Sequence, residues 1–172
     1  MSAAQQSIEN NLSQVNDGNT NQFLTFILAG QEYGVDILRV REIKGWDRVT
    51  PIPNMPQYIR GVINMRGTIV PIIDLRDRFG LETIEYSPMT VVIMLKIEGQ
   101  GRDRIMGIVV DAVSEVYNVN LAEMKDPPDF GDLVRADFIR GLATVDEKMF
   151  IVLDIDQLLN SDALTIAAEV EA

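Results

Sequence analysis

Short apolar runs with a period of two dominate the chain. In QFLTFILAGQEYGVDI, Phe23, Thr25 and Ile27 alternate with Leu24, Phe26 and Leu28, and Gly30 follows. Alternation on both sides of a glycine predicts a β-hairpin. In ILRVREI, by contrast, Ile37, Val40 and Ile43 follow helical spacing and Asp36 stands where a cap belongs, so a short helix is expected. VTPIPNMP carries three prolines and reads as an extended loop. VINMRGTIVPIIDL predicts a second hairpin, turning at Arg66-Gly67. Its residues Val62, Ile63, Ile69, Val70, Ile72 and Ile73 leave few polar positions, so both faces of those strands should be covered. MTVVIMLKIEGQGRDRIMGIVVDAVSEVYNV reads as a long hairpin turning between Gly99 and Gly101, and EMKDPPDFGDLVRA as a surface connection. The sequence from Asp156 onward suits a C-terminal helix or tail over 161–172. Residues 1–21 are polar and rich in Gln, Asn and Ser, so a disordered tail is expected there, with order from Gln22.

One pattern recurs. YIRGVINMRGTIVPIIDLRDRF, from Tyr58 to Phe79, returns without gaps 80 residues later as FIRGLATVDEKMFIVLDIDQLL, from Phe138 to Leu159. Ile59/Ile139, Arg60/Arg140, Gly61/Gly141 and Asp74/Asp154 are identical, and the apolar positions match. Many short strands with little helix predict small β-barrels or a sandwich, and the duplicated hairpin favours two similar barrels. At 172 residues, 47% of them hydrophobic, the chain has material for one domain or two small ones.

Charge and composition narrow the function. The net charge is −11, which disfavours nucleic acid and anionic membrane surfaces, because both need clustered Lys and Arg. The chain has no Cys and no His, so thiolate metal sites, disulfides and the commonest general base are absent. No basic-then-apolar leader opens the sequence and no run of about 18 apolar residues occurs, so a cytoplasmic protein without membrane insertion is expected.

Candidate chemistry is sparse. Gly99 and Gly101 lack the lysine and helix of a phosphate loop and read as a turn. Asp74, Asp111 and Asp154 each follow an apolar strand; they serve catalysis only if they converge, and otherwise end hairpins or cap helices. Asp126, Asp129 and Asp132 lack the ligand order of a calcium loop. No cofactor or metal is expected. In ILRVREIKGW, Val40 and Ile43 turn inward and Arg39 and Glu42 outward, either as an ordinary amphipathic turn or as a docking strip with a charged rim. Trp46 either packs or anchors a partner. Arg66 should be exposed at a hairpin tip, and Gly61 and Gly67 should meet backbone requirements.

The stretch IRGVINMRGTIVPIIDLRDRFG, with EYGVDILRVREI before it, resembles the CheW family of bacterial chemotaxis coupling proteins. Arg60, Gly61, Asn64, Arg66, Gly67, Pro71, Asp74, Leu75 and Arg76 carry the motif, and GIVVDAVSEV and the second hairpin extend the likeness over residues 22–160. The resemblance implies two SH3-like five-stranded β-barrel subdomains packed on a shared hydrophobic core, with short helices. It implies a non-catalytic adaptor, without cofactor, bridging the cytoplasmic tip of transmembrane chemoreceptors and the regulatory domain of the histidine kinase CheA, and recruited to membrane-associated arrays. It implies partner-binding roles for Ile37, Val40, Glu42, Ile43 and Arg66, with Gly61 and Gly67 shaping the backbone near the interface. A coupling protein for another CheA-type pathway, such as twitching motility or biofilm control, is the alternative, and a carboxylate-dependent enzyme the remote one.

Overall fold

In a computed structural model, residues 20–99, 101–126 and 138–160 are described. They form ten strands: β1 (Thr20–Leu28), β2 (Gln31–Asp36), β3 (Val40–Gly45), β4 (Ile59–Met65), β5 (Thr68–Asp74), β6 (Val91–Ile97), β7 (Arg104–Val110), β8 (Ala112–Asn120), β9 (Ile139–Val145) and β10 (Lys148–Leu153). Two short helices follow the duplicated hairpins, α1 (Leu75–Arg78) and α2 (Ile155–Leu159). The expectations for 1–19 and 161–172, and Asp129 and Asp132, lie outside the described residues.

The chain divides into two compact units, each with one five-stranded, SH3-like sheet. The first has the order β8-β1-β2-β10-β9, the second β3-β6-β7-β5-β4. Each sheet is built alike. A central hairpin (β1–β2 or β6–β7) pairs in parallel with the second strand of a duplicated hairpin (β10 or β5), whose first strand forms one edge. Burial follows the strand pattern. Phe23, Tyr117, Val119, Ala143, Phe150 and Val152 cluster in the first unit, and Val70, Ile72, Val92, Met94 and Val109 in the second.

The repeat is carried in detail. β4 and β9 span equivalent residues. Val62 bridges Thr50, and its counterpart Leu142 bridges Lys125. Asp74 N–H donates to Tyr58 O at 2.7 Å, and Asp154 N–H to Phe138 O at 2.8 Å. The repeated glycine has a spatial reason. A Cβ on Gly141 would stand 2.9 Å from Lys125 O, and one on Gly61 would overlap Thr50 O. Gly61 also has a φ of 148°, which side chains rarely adopt.

Three expectations change. β1 begins at Thr20 rather than Gln22. The helix expected over ILRVREI is a single 3-10 turn, Ile37–Arg39, in which Leu38 N–H donates to Asp36 Oδ1 at 3.0 Å. The chain then enters β3, which pairs antiparallel with β6. Val40 and Ile43 are β-branched and suit an extended backbone, and β3 supplies the pairing that β6 needs on that side. A register shift between Val40 and Glu42 displaces Arg41 and spoils simple alternation, so the segment mimics a helical period. Finally, the long hairpin ends at Val110, and β8 belongs to the other sheet.

Candidate partner-binding surface

The β4–β5 hairpin carries the Arg66-Gly67 tip. Arg66 and Gly67 have φ values of 54° and 89°, and Asn64 Oδ1 accepts the Gly67 N–H at 2.8 Å. Two left-handed residues match the twist of a two-residue hairpin. A Cβ on Gly67 would meet nothing, so this glycine answers to conformation alone. Arg66 is exposed, as expected. The equivalent β9–β10 tip has Asp146 and Glu147 at φ 51° and 68°, both exposed and without glycine. The two tips therefore share a backbone shape and differ in sign of charge.

The expected helical strip of Ile37, Val40, Glu42 and Ile43 does not exist as a helix face. Ile37 is only 3% exposed and is not a surface residue of this chain. Val40, Glu42 and Ile43 are half-buried on edge strand β3, opposite Leu95, Met94 and Ile93. Glu42 and Ile43, as neighbours on a strand, point to opposite faces. Arg39 is not simply solvated: its guanidinium donates to Lys96 O at 3.0 Å and pairs with Glu98 at 3.2 Å. Leu38, at 70% exposure, is an apolar surface residue outside the expected strip; its position just after the cap Asp36 was the available signal. Trp46 packs, its ring 4.3 Å from that of Tyr86.

Three further motif residues, Arg60, Asp74 and Arg76, enter polar interactions at the end of β5. Asp74 is 3% exposed. Its Oδ1 accepts the N–H groups of Arg76 and Asp77 at 3.0 and 3.4 Å and so caps α1. Its Oδ2 accepts the Tyr86 hydroxyl at 2.6 Å and Arg60 Nη2 at 3.3 Å, while Arg60 Nε donates to Tyr86 Oη at 3.1 Å. Burial, then the Asp74 carboxylate, pushes the Tyr86 phenol well up from its ordinary value. Burial opposes the charged form of Arg60, but Tyr86 and Asp74 outweigh it and the net shift is upward. Arg76 grips Asp111 with two bonds of 2.9 and 2.8 Å and donates to Glu82 O at 2.8 Å. The sequence reading missed Tyr86, which lies in a polar loop with no periodicity to mark it.

Asp74 and Asp111 are thus occupied by structural partners, and Asp154 caps α2 by accepting Gln157 N–H at 3.1 Å. Among the described residues no group of three or more acidic side chains is placed to hold a metal ion. No described helix is long and apolar enough to cross a membrane.

Residues 22–163 match the CheW-like domain, a span that includes both copies of the repeat. The chain belongs to the CheW family. It is 44% identical over 149 residues to the chemotaxis protein CheW of Klebsiella aerogenes, covering 87% of each chain. It is 33% identical over 141 residues to that of Rhizobium meliloti, covering 82% of this chain and 88% of the relative. Among solved structures, the scaffolding protein TtCheW from Thermoanaerobacter tengcongensis superposes with a TM-score of 0.74 at 34% identity, over 83% of this chain and 94% of that one. In this CheW-family chain, Asp74, Gly61 and Asn64 build the fold of the hairpin, and Arg66 is an exposed motif side chain at its tip.

Proposed function

We propose that this chain is a non-catalytic adaptor that couples transmembrane chemoreceptors to the histidine kinase CheA in chemotaxis. In this reading it is cytoplasmic and joins membrane-associated receptor arrays through its partners. Identity of 44% to a chemotaxis protein CheW over 87% of both chains carries the proposal. The carboxylates that an enzyme would need are engaged in capping and ion pairs, which supports it. Arg66 and strand β3, with Val40, Glu42 and Ile43, are the contact residues, and Gly61 and Gly67 hold the backbone that presents them. Ile37 acts only as interior support. An adaptor without chemistry transmits a signal when its contacts differ between kinase-on and kinase-off assemblies. Its separate interfaces are modest, and bridging raises the effective concentration of each partner.

The test is the CheA phosphorylation rate with receptor-bearing membranes, with and without this protein. A large rise that attractant suppresses is the expected result. No rise, with folded protein and cognate partners, overturns the assignment to chemotaxis coupling and leaves the family membership standing.

A further inference from the structure

An open groove of about 560 Å³ lies within the second unit, lined by Arg41 of β3, Thr68 and Ile69 at the start of β5, Lys96 of β6, and Arg102 and Arg104 beside the β6–β7 turn. Its volume falls in the range of ligand sites, about 300–1,000 Å³. Four lining residues are cationic and one, Asp103, is anionic. The chain as a whole runs the other way, with 15 Lys and Arg against 26 Asp and Glu. The groove therefore concentrates positive charge on a protein that elsewhere repels anions.

Not all of that charge is available. Lys96 Nζ lies 3.2 Å from Asp103 and 3.9 Å from Glu98, and Arg104 donates to Asn160 Oδ1. Arg41 and Arg102 are exposed and have no ion pair among the described residues. Arg66 stands next in sequence to Gly67, another lining residue. Between the cations lie apolar surfaces: Ile69 is 40% exposed and Ile105 is partly buried. Guanidinium groups favour carboxylates through paired hydrogen bonds, and the apolar floor favours a ligand with an aliphatic side chain. A small inorganic anion would leave that floor uncovered, and nucleic acid would meet the repulsion of a −11 chain.

We infer that this groove receives an acidic peptide segment of a coupling partner, with carboxylates on Arg41 and Arg102 and an aliphatic side chain on Ile69. The inference rests on the adaptor reading and names the chemistry that one partner presents.

The experiment titrates the full chain with a short synthetic peptide of alternating Glu and Leu, followed by fluorescence anisotropy, beside a peptide with Gln in place of Glu. The Glu peptide should bind, and the Gln peptide at least about tenfold more weakly. Raising NaCl from about 50 to about 500 mM should weaken the Glu peptide by about tenfold. Arg41→Glu with Arg102→Glu should abolish binding; if that pair fails to fold, Arg41→Gln with Arg102→Gln should still weaken it severalfold. Equal binding of the two peptides, or unchanged binding by folded variants, overturns the inference. So does binding that appears only once residues 161–172 are deleted, because that segment carries Asp162, Glu169 and Glu171 and would itself be the occupant. In the kinase assay, wild type that stimulates beside a double variant that stimulates equally sinks the groove alone; wild type that fails to stimulate sinks the adaptor reading.

Discussion

The two hairpin tips compare one residue with another in the same backbone setting. At the first tip, Gly67 takes the second left-handed position; at the second, Glu147 does so at φ 68°. A non-glycine residue there costs about 1 kcal/mol. Glu147→Gly should therefore raise stability by about 1 kcal/mol, read as a higher urea midpoint at unchanged slope. An unchanged midpoint would show that the Glu147 side chain recovers the strain through a contact of its own. At the first tip the expectation is reversed in kind. Arg66 is exposed, so its loss should barely touch folding. Arg66→Ala should weaken partner binding by about tenfold, the worth of one charge-assisted hydrogen bond, with a thermal midpoint within about 2 °C of wild type. Titration of labelled protein against kinase and receptor separately gives the first quantity, and a thermal melt the second; matched losses in both would make Arg66 structural.

Asp74 and Asp154 end equivalent strands but hold different amounts of structure. Asp74 is buried, caps α1 and also accepts from half-buried Tyr86 and Arg60, whereas Asp154 is half-buried and accepts Gln157. Asp74→Ala strips a cap and removes the acceptor shared by the half-buried Tyr86 hydroxyl and the Arg60 guanidinium, which keeps Asp77 at 3.8 Å, so it should cost about 3 kcal/mol. Asp154→Ala removes a cap alone and should cost about 1 kcal/mol. Tyr86→Phe should fall between, at about 1–2 kcal/mol. Denaturant unfolding of the three variants orders them; equal costs for the two aspartates would refute the network. This asymmetry marks what the sequence could disclose. The gapless repeat exposed the hairpins, both caps and the shared glycine, because those depend on local spacing. Tyr86 joins Asp74 from 12 positions away through a polar loop, which leaves no periodic trace. The segment after Asp36 misled for another reason. A one-residue displacement at Arg41 turned a period of two into an apparent helical period, and pairing with β6 then decided the strand. The candidate site was legible at the Arg66 tip, where a turn signal stands in the sequence, and poorly legible along β3.

At the scale of the molecule, both units hold tyrosines that resist ionisation. Burial raises Tyr33 and Tyr86, and burial, followed by a hydrogen bond with Glu115, pushes Tyr117 from its ordinary 10.0 up to about 12. A folded-state value raised above the unfolded one stabilises the fold fully below pH 10 and loses that stability as pH rises toward the folded value. In that window the unfolded chain has shed protons that the folded chain keeps, so high pH favours unfolding. Unfolding free energy should therefore hold steady up to about pH 9.5 and then fall through pH 12. Denaturant titrations across this range measure the fall, and tyrosinate absorbance of the folded protein should lag that of the unfolded protein. Other groups also lose protons in this range, so the control is Tyr117→Phe, which cannot titrate. Its stability should decline less steeply above pH 10 than that of wild type. An identical decline would place the alkaline sensitivity elsewhere and show that the Tyr117 hydroxyl ionises as freely in the fold as outside it.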